Sequence, residues 1–149
     1  MTKQTNVKYT GAIEDYFSIL SNARNEWPSD EINCAVSRAN AVIALVMIFL
    51  SSKESRPLDS TLSDAISSVL GDVMLISKMA DHYNYEAVHT AARLADSGLS
   101  AVMMFLNEPD GKPDDYILSD CLELAAAQLV EIRKLSDLEH EQQRQLRAV

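Results

Sequence analysis

One stretch of this chain occurs twice. Residues 46–64 read VMIFLSSKESRPLDSTLSD and residues 102–120 read VMMFLNEPDGKPDDYILSD. An ungapped offset of 56 pairs Val46 with Val102, Met47 with Met103, Phe49 with Phe105 and Leu50 with Leu106. It also pairs Pro57 with Pro113, Asp59 with Asp115, and Leu62, Ser63 and Asp64 with Leu118, Ser119 and Asp120. Further out, Ala35 meets Ala91, Ile76 meets Ile132, Lys78 meets Lys134 and Asp81 meets Asp137. Residues 30–81 and 86–137 therefore read as two copies of one unit.

Each copy reads as a helical hairpin. The first helix of copy one carries Ile32, Ala35, Val36, Ala39, Ile43, Val46 and Leu50. Moved by the offset, these become Val88, Ala91, Ala92, Ala95, Leu99, Val102 and Leu106, apolar in every case. That spacing is one face of an α-helix. The second helix repeats the logic with Leu62, Ile66, Val69, Val73, Ile76 and Ala80, mirrored by Leu118, Leu122, Ala125, Leu129, Ile132 and Ser136. Pro57 and Pro113 fit a first helical turn, where a missing N–H costs nothing, with Asp59 and Asp115 near the positive end of the helix dipole. Gly98 falls inside a helix, and with Ala91 and Ala95 nearby its expected reason is close helix contact.

Outside the copies, Ile13, Tyr16, Phe17 and Leu20 mark an amphipathic N-terminal helix over 10–25, ended by Trp27 and Pro28. Residues 138–149 extend the last helix with a polar sequence that is expected to project as a tail or to lie against a second subunit. The fold class expected is all-α: a bundle of two tandem helical hairpins related by a pseudo-two-fold axis, plus the N-terminal helix, in one 149-residue domain. Four Gly and four Pro leave few helix breakers, and 6% aromatic residues argue against a β-rich core.

The formal charge of −9 disfavours direct contact with nucleic-acid phosphates. The charge is uneven: residues 82–137 hold 10 acids against 4 bases, and residues 29–81 hold 7 against 4. Two cysteines, Cys34 and Cys121, fit a reducing compartment. The longest apolar run, residues 41–50, is short of the roughly 20 residues a membrane span needs, and the N-terminus has no apolar signal core. A cytoplasmic protein without membrane contact is expected.

No cofactor or metal is expected. Glu86 and His89, and Asp137 and His140, have the Glu-x-x-His type of spacing used in di-iron bundles, yet Glu86 and His89 fall about 160° and 100° from the centre of the core stripe, away from the bundle axis. The acidic run of Asn107, Glu108, Asp110, Asp114, Asp115 and Asp120 lacks the EF-hand pattern and reads as helix capping with solvation. Cys34 lies about 200° from the core stripe with nothing beside it to activate a thiolate.

His89 is the one candidate for chemistry. The stretch HTAARLADSG, residues 89–98, resembles histidine phosphotransfer domains, acidic four-helix bundles with a half-exposed phosphorylatable histidine. The resemblance implies phosphorylation of His89. Those domains usually carry Lys and then Gly three and four positions after the histidine; here Ala92 and Arg93 stand there. The copy-one mate of His89 is Asn33, which cannot take that role. The ordinary alternative is a helix-boundary histidine.

The apolar excess points elsewhere. Met47, Ile48 and Phe49, with Met103, Met104 and Phe105, widen the apolar stripe well beyond the about three positions in seven that a bundle core uses. Such residues form either a doubly buried helix pair or a surface for another protein. The function expected is non-catalytic: an adaptor, inhibitor or regulator that binds a protein partner, as a homodimer. The alternatives are phosphotransfer through His89 and an acidic mimic of nucleic acid.

Overall fold

The computed structural model describes residues 28–149 apart from Ser55, Pro109 and Lys112. The N-terminal helix expected over 10–25 lies outside the described residues. Among them the chain is all-helical. Four helices follow one another: α1 (Pro28–Ser51), α2 (Asp59–His82), α3 (Glu86–Asn107) and α4 (Asp115–Arg147).

Each helix packs against two others: α1 on α2 and α4, and α3 on α2 and α4. The four therefore stand as a ring, with α1 diagonal to α3 and α2 diagonal to α4, as short loops between antiparallel neighbours require. All seven stripe residues of α1 and all seven of α3 are buried. So are the six stripe residues of α2 and the six of α4, Ser136 included. The periodicity that makes each helix amphipathic also supplies the core: every one of these stripe positions is buried.

Three local expectations change. Pro57 and Pro113 are not in the first helical turn. Leu58 and Asp114 are the extended N-cap residues, at ψ 149° and 152°, so each proline sits one position earlier. Its fixed φ suits that extended backbone, and the residue before the cap needs no helical donor. Neither Leu58 nor Asp114 makes a side-chain cap bond. Asp115 is instead committed to an ion pair with Arg56, so the acidic run is not simply capping. Lastly, a Cβ built on Gly98 would meet nothing within 4 Å. Close helix contact is therefore not the reason for that glycine, although Ala91, about two turns away on nearly the same side of α3, is buried.

The two ends of the bundle are tied differently. At one end the α1–α2 loop reaches α4 through Arg56. At the other, α2 ends in a Schellman turn: the Tyr85 N–H donates to Ala80 O (2.7 Å) and the Asn84 N–H to Asp81 O (3.2 Å). Asn84 takes the left-handed conformation this needs, at φ 59°. Tyr85, the next residue, turns its ring wholly into the core.

Candidate functional site

The α1 helix has two faces of different character. Its inner face is the core stripe. Its outer face carries Cys34, Ser37, Arg38, Ala41, Ala44, Leu45 and Ile48, all exposed. Residues 39–52 contain no charged side chain. Leu45 is 50% and Ile48 is 63% exposed. By length and composition Ser29–Ser51 could cross a membrane, and only 33% of the relevant window is buried. The bundle nevertheless uses this helix as a core element, tied by polar contacts to both neighbours. Asn33 Nδ2 donates to Asp137 Oδ1 (3.0 Å), Arg133 Nη2 donates to Ser37 Oγ (2.6 Å), and Arg38 Nη2 pairs with Asp72 Oδ1 (3.0 Å).

The contacts of Asn33 with Asp137 and of Ser37 with Arg133 are rungs of one antiparallel run between α1 and α4. One further turn along it places Val130, 47% exposed, beside Asn40 and Ala41.

The structure divides the surface expected from Met47, Ile48, Phe49, Met103, Met104 and Phe105. Met47, Phe49, Met103 and Phe105 are half-buried and pack against the core. Ile48 and Met104 alone of the six are exposed. They sit on α1 and α3, at opposite corners of the ring, so the six do not form one patch. The outer face of α3 also differs. At the positions equivalent to Ala41, Ala44 and Leu45 it carries Ser97, Ser100 and Ala101. Its exposed Leu94 is separated from Met104 by those serines. The outer face of α3 is thus mixed, while that of α1 is apolar from Ala41 to Ile48.

His89 is half-buried, in an open recess of about 300 Å³ lined by Ala80, Asp81, Asn84, Glu86 and Thr90. Two of the lining residues, Asp81 and Glu86, are acidic. Arg93 stands one turn on, at the edge of a separate groove of about 570 Å³ between α2 and α3, floored by Leu70, Val73, Met74 and Met103. Among the described residues no three His, Cys, Asp or Glu side chains are grouped to hold a metal ion. Cys34 is exposed and Cys121 half-buried, each a free thiol.

The extension of α4 past residue 137 does not simply project. Glu139 Oε1 accepts the Ala87 N–H (2.9 Å), and the Val88 N–H also points at this carboxylate. Glu139 thereby caps the start of α3 from another helix, where the dipole favours an anion. Gln143 Nε2 donates to Tyr83 O (2.9 Å). Burial pushes the Glu139 carboxyl above its ordinary value, and the two N–H bonds only partly offset this. Burial, and then the Glu139 charge, push the Tyr85 phenol up to about 12. Tyr85 lies between the two repeated units, where helical periodicity marks no core position; the signal for it is a bulky aromatic three residues past a helix end, after an Asn that tolerates the left-handed turn.

With this geometry in hand, comparison adds nothing: no family model, no curated protein and no solved structure matches the chain.

Proposed function

We propose that this is a non-catalytic, acidic helical-bundle protein that acts in the cytoplasm by binding a protein partner, as an adaptor, inhibitor or regulator, and that its contact surface is the outer face of α1. The observation that carries the reading is the strip Ala41, Ala44, Leu45 and Ile48, exposed and free of charge, where the equivalent strip of α3 is interrupted by Ser97 and Ser100. Each bulky aliphatic side chain left in water forgoes about 1.5–3 kcal/mol of burial. Contiguous exposed apolar surface of this kind marks interaction sites. A photo-crosslinking residue placed at Ala41 should capture a discrete protein adduct in an extract of the producing cells. The adduct should vanish in Leu45→Glu/Ile48→Glu, and the same probe at Ser97 should give none. Equal labelling from both positions would sink the reading.

We also infer that the two hairpins are copies of one unit about a pseudo-two-fold axis. The support is the coincidence of buried positions under the offset of 56. In an experimental structure, residues 30–81 should superpose on 86–137 with Pro57 over Pro113.

Phosphotransfer through His89 is the second reading, favoured by the half-buried, accessible imidazole. Against it, Asp81 and Glu86 line the same recess and repel a phosphoryl dianion. Incubation with a phosphorylated receiver domain should leave no acid-labile phosphate on the protein. Label that is lost in His89→Gln would promote this reading over the first.

A further inference from the structure

We propose that the partner of the α1 face is a second copy of this chain, with α1 crossing its mate antiparallel about a two-fold axis near Ala44. The inference rests on the reading of that face as a contact surface and goes on to name what covers it.

The pattern on the face is self-complementary. Ala41 and Ala44 are small and let two backbones approach; Leu45 and Ile48 are bulky and stand beside them. An antiparallel crossing at Ala44 seats the Ile48 of each copy against the Ala41 of the other, ridge into groove. A two-fold contact requires this reciprocity, because one patch must serve as both knob and hole. Burying residues of the face leaves no polar group stranded. Its one charge, Arg38, lies at the margin and already pairs with Asp72.

Charge restricts where two copies can meet. The chain carries −9, so two copies meeting at random repel. The 10 acids against 4 bases of residues 82–137 belong to the other hairpin. A contact through residues 39–48 of α1 joins the molecules at a charge-free strip. The same sparsity of basic residues counts against a lipid surface. Interfacial helices flank their apolar face with Lys and Arg to meet anionic headgroups; here Arg38, Lys53 and Arg133 lie near the strip, with Arg38 already on Asp72 and Arg133 on Ser37.

Extent fits a modest, reversible dimer. A 24-residue helix is about 36 Å long, and the exposed apolar strip takes up its 41–48 part. Four exposed side chains on each copy make a contact smaller than the about 1,200 Å² of the smallest standard interfaces, as a weak and reversible dimer has.

Sedimentation velocity on the full chain, from low to high micromolar concentration, tests this directly. The expected result is a species of twice 16.5 kDa that dissociates on dilution, and a monomer with unchanged helical circular dichroism for Leu45→Glu/Ile48→Glu. In a Cys34→Ser/Cys121→Ser background, Ala44→Cys should oxidise to a covalent dimer, whereas Ser100→Cys at the equivalent point of α3 should not. This second variant keeps the test open if the double glutamate chain fails to fold. A wild type that stays monomeric at high micromolar concentration overturns the proposal. In that case a hydrophobic dye separates the two ideas. Dye bound by wild type and lost in the double variant leaves the face open for a different protein; no binding removes the contact-surface reading as well. A dimer that survives Leu45→Glu/Ile48→Glu, or that cross-links through Ser100→Cys and not Ala44→Cys, also overturns it, since the copies then meet elsewhere.

Discussion

Arg56 grips Asp115 from 59 residues away, Nε to Oδ2 at 2.7 Å and Nη2 to Oδ1 at 3.0 Å. The same guanidinium pairs with Asp59 Oδ1 at 2.7 Å. Asp59 and Asp115 are the first residues of α2 and α4, and they are mates under the repeat. One planar cation thus joins the starts of two diagonal helices, each of which already favours an anion there. The two carboxylates hold the guanidinium charged well beyond its ordinary range, Asp115 contributing most.

Removing this cation leaves two carboxylates facing each other. Arg56→Ala should destabilise the fold by about 1–2 kcal/mol in urea unfolding, the range of a charged, two-pronged hydrogen bond with partial solvent access. Arg56→Lys should recover less than half, because a lysine cannot reproduce the fork. A double-mutant cycle with Asp115→Asn should show positive coupling that shrinks with added salt. Additive losses would mean the pair is geometric only.

Glu139 makes stability depend on pH. Its folded value lies above the ordinary 4.5, so the folded state holds the proton more tightly than the unfolded chain. Its contribution is therefore intact below about 4.5 and is lost as pH rises through the raised folded value. Glu139→Gln removes this ionisation while keeping an oxygen for the Ala87 N–H. Relative to wild type, the variant should gain stability from about pH 4 to about pH 7. Thermal melts at the two pH values check it; a variant that loses ground on that interval would show that capping by the charge outweighs its burial.

Two buried hydroxyls stand without a hydrogen-bond partner among the described residues, Tyr85 Oη and Ser136 Oγ. An unsatisfied buried polar group costs about 1–3 kcal/mol. Ser136 is also the one polar residue in the repeated core, and its mate is Ala80. Ser136→Ala should stabilise the protein by about 1 kcal/mol. Tyr85→Phe should be neutral or stabilising, with the ring's packing retained. A loss of more than about 1 kcal/mol in either would reveal a buried water bonded to the hydroxyl.

Gly71 and Gly98 lie in helix interiors with open space where a Cβ would go. Gly98→Ala and Gly71→Ala should each raise stability by about 0.5–1 kcal/mol, near the difference in helix propensity, and should add in combination. A destabilised Gly98→Ala would restore close contact as the reason for that glycine.

The sequence alone determined the periodic part of the protein. Ile32 through Leu50 and Val88 through Leu106 announced their buried positions because 3.6 residues per turn is a local rule, and the repeat stated it twice. It also placed Asp59 and Asp115 at helix starts. Tertiary structure decided what periodicity cannot encode. Where Met47, Ile48 and Phe49 are all apolar, the pattern names no outer face; the ring of neighbours half-buries Met47 and Phe49 and leaves Ile48 in water. The diagonal placement of α1 and α3 separates Ile48 from Met104, a relation between residues 56 apart that no helical wheel contains. The partner of Arg56, the cap that Glu139 gives to α3, and the empty space beside Gly98 arise the same way. Each is set by which helices lie side by side, and that arrangement follows from packing all four faces at once, not from the spacing within any one of them.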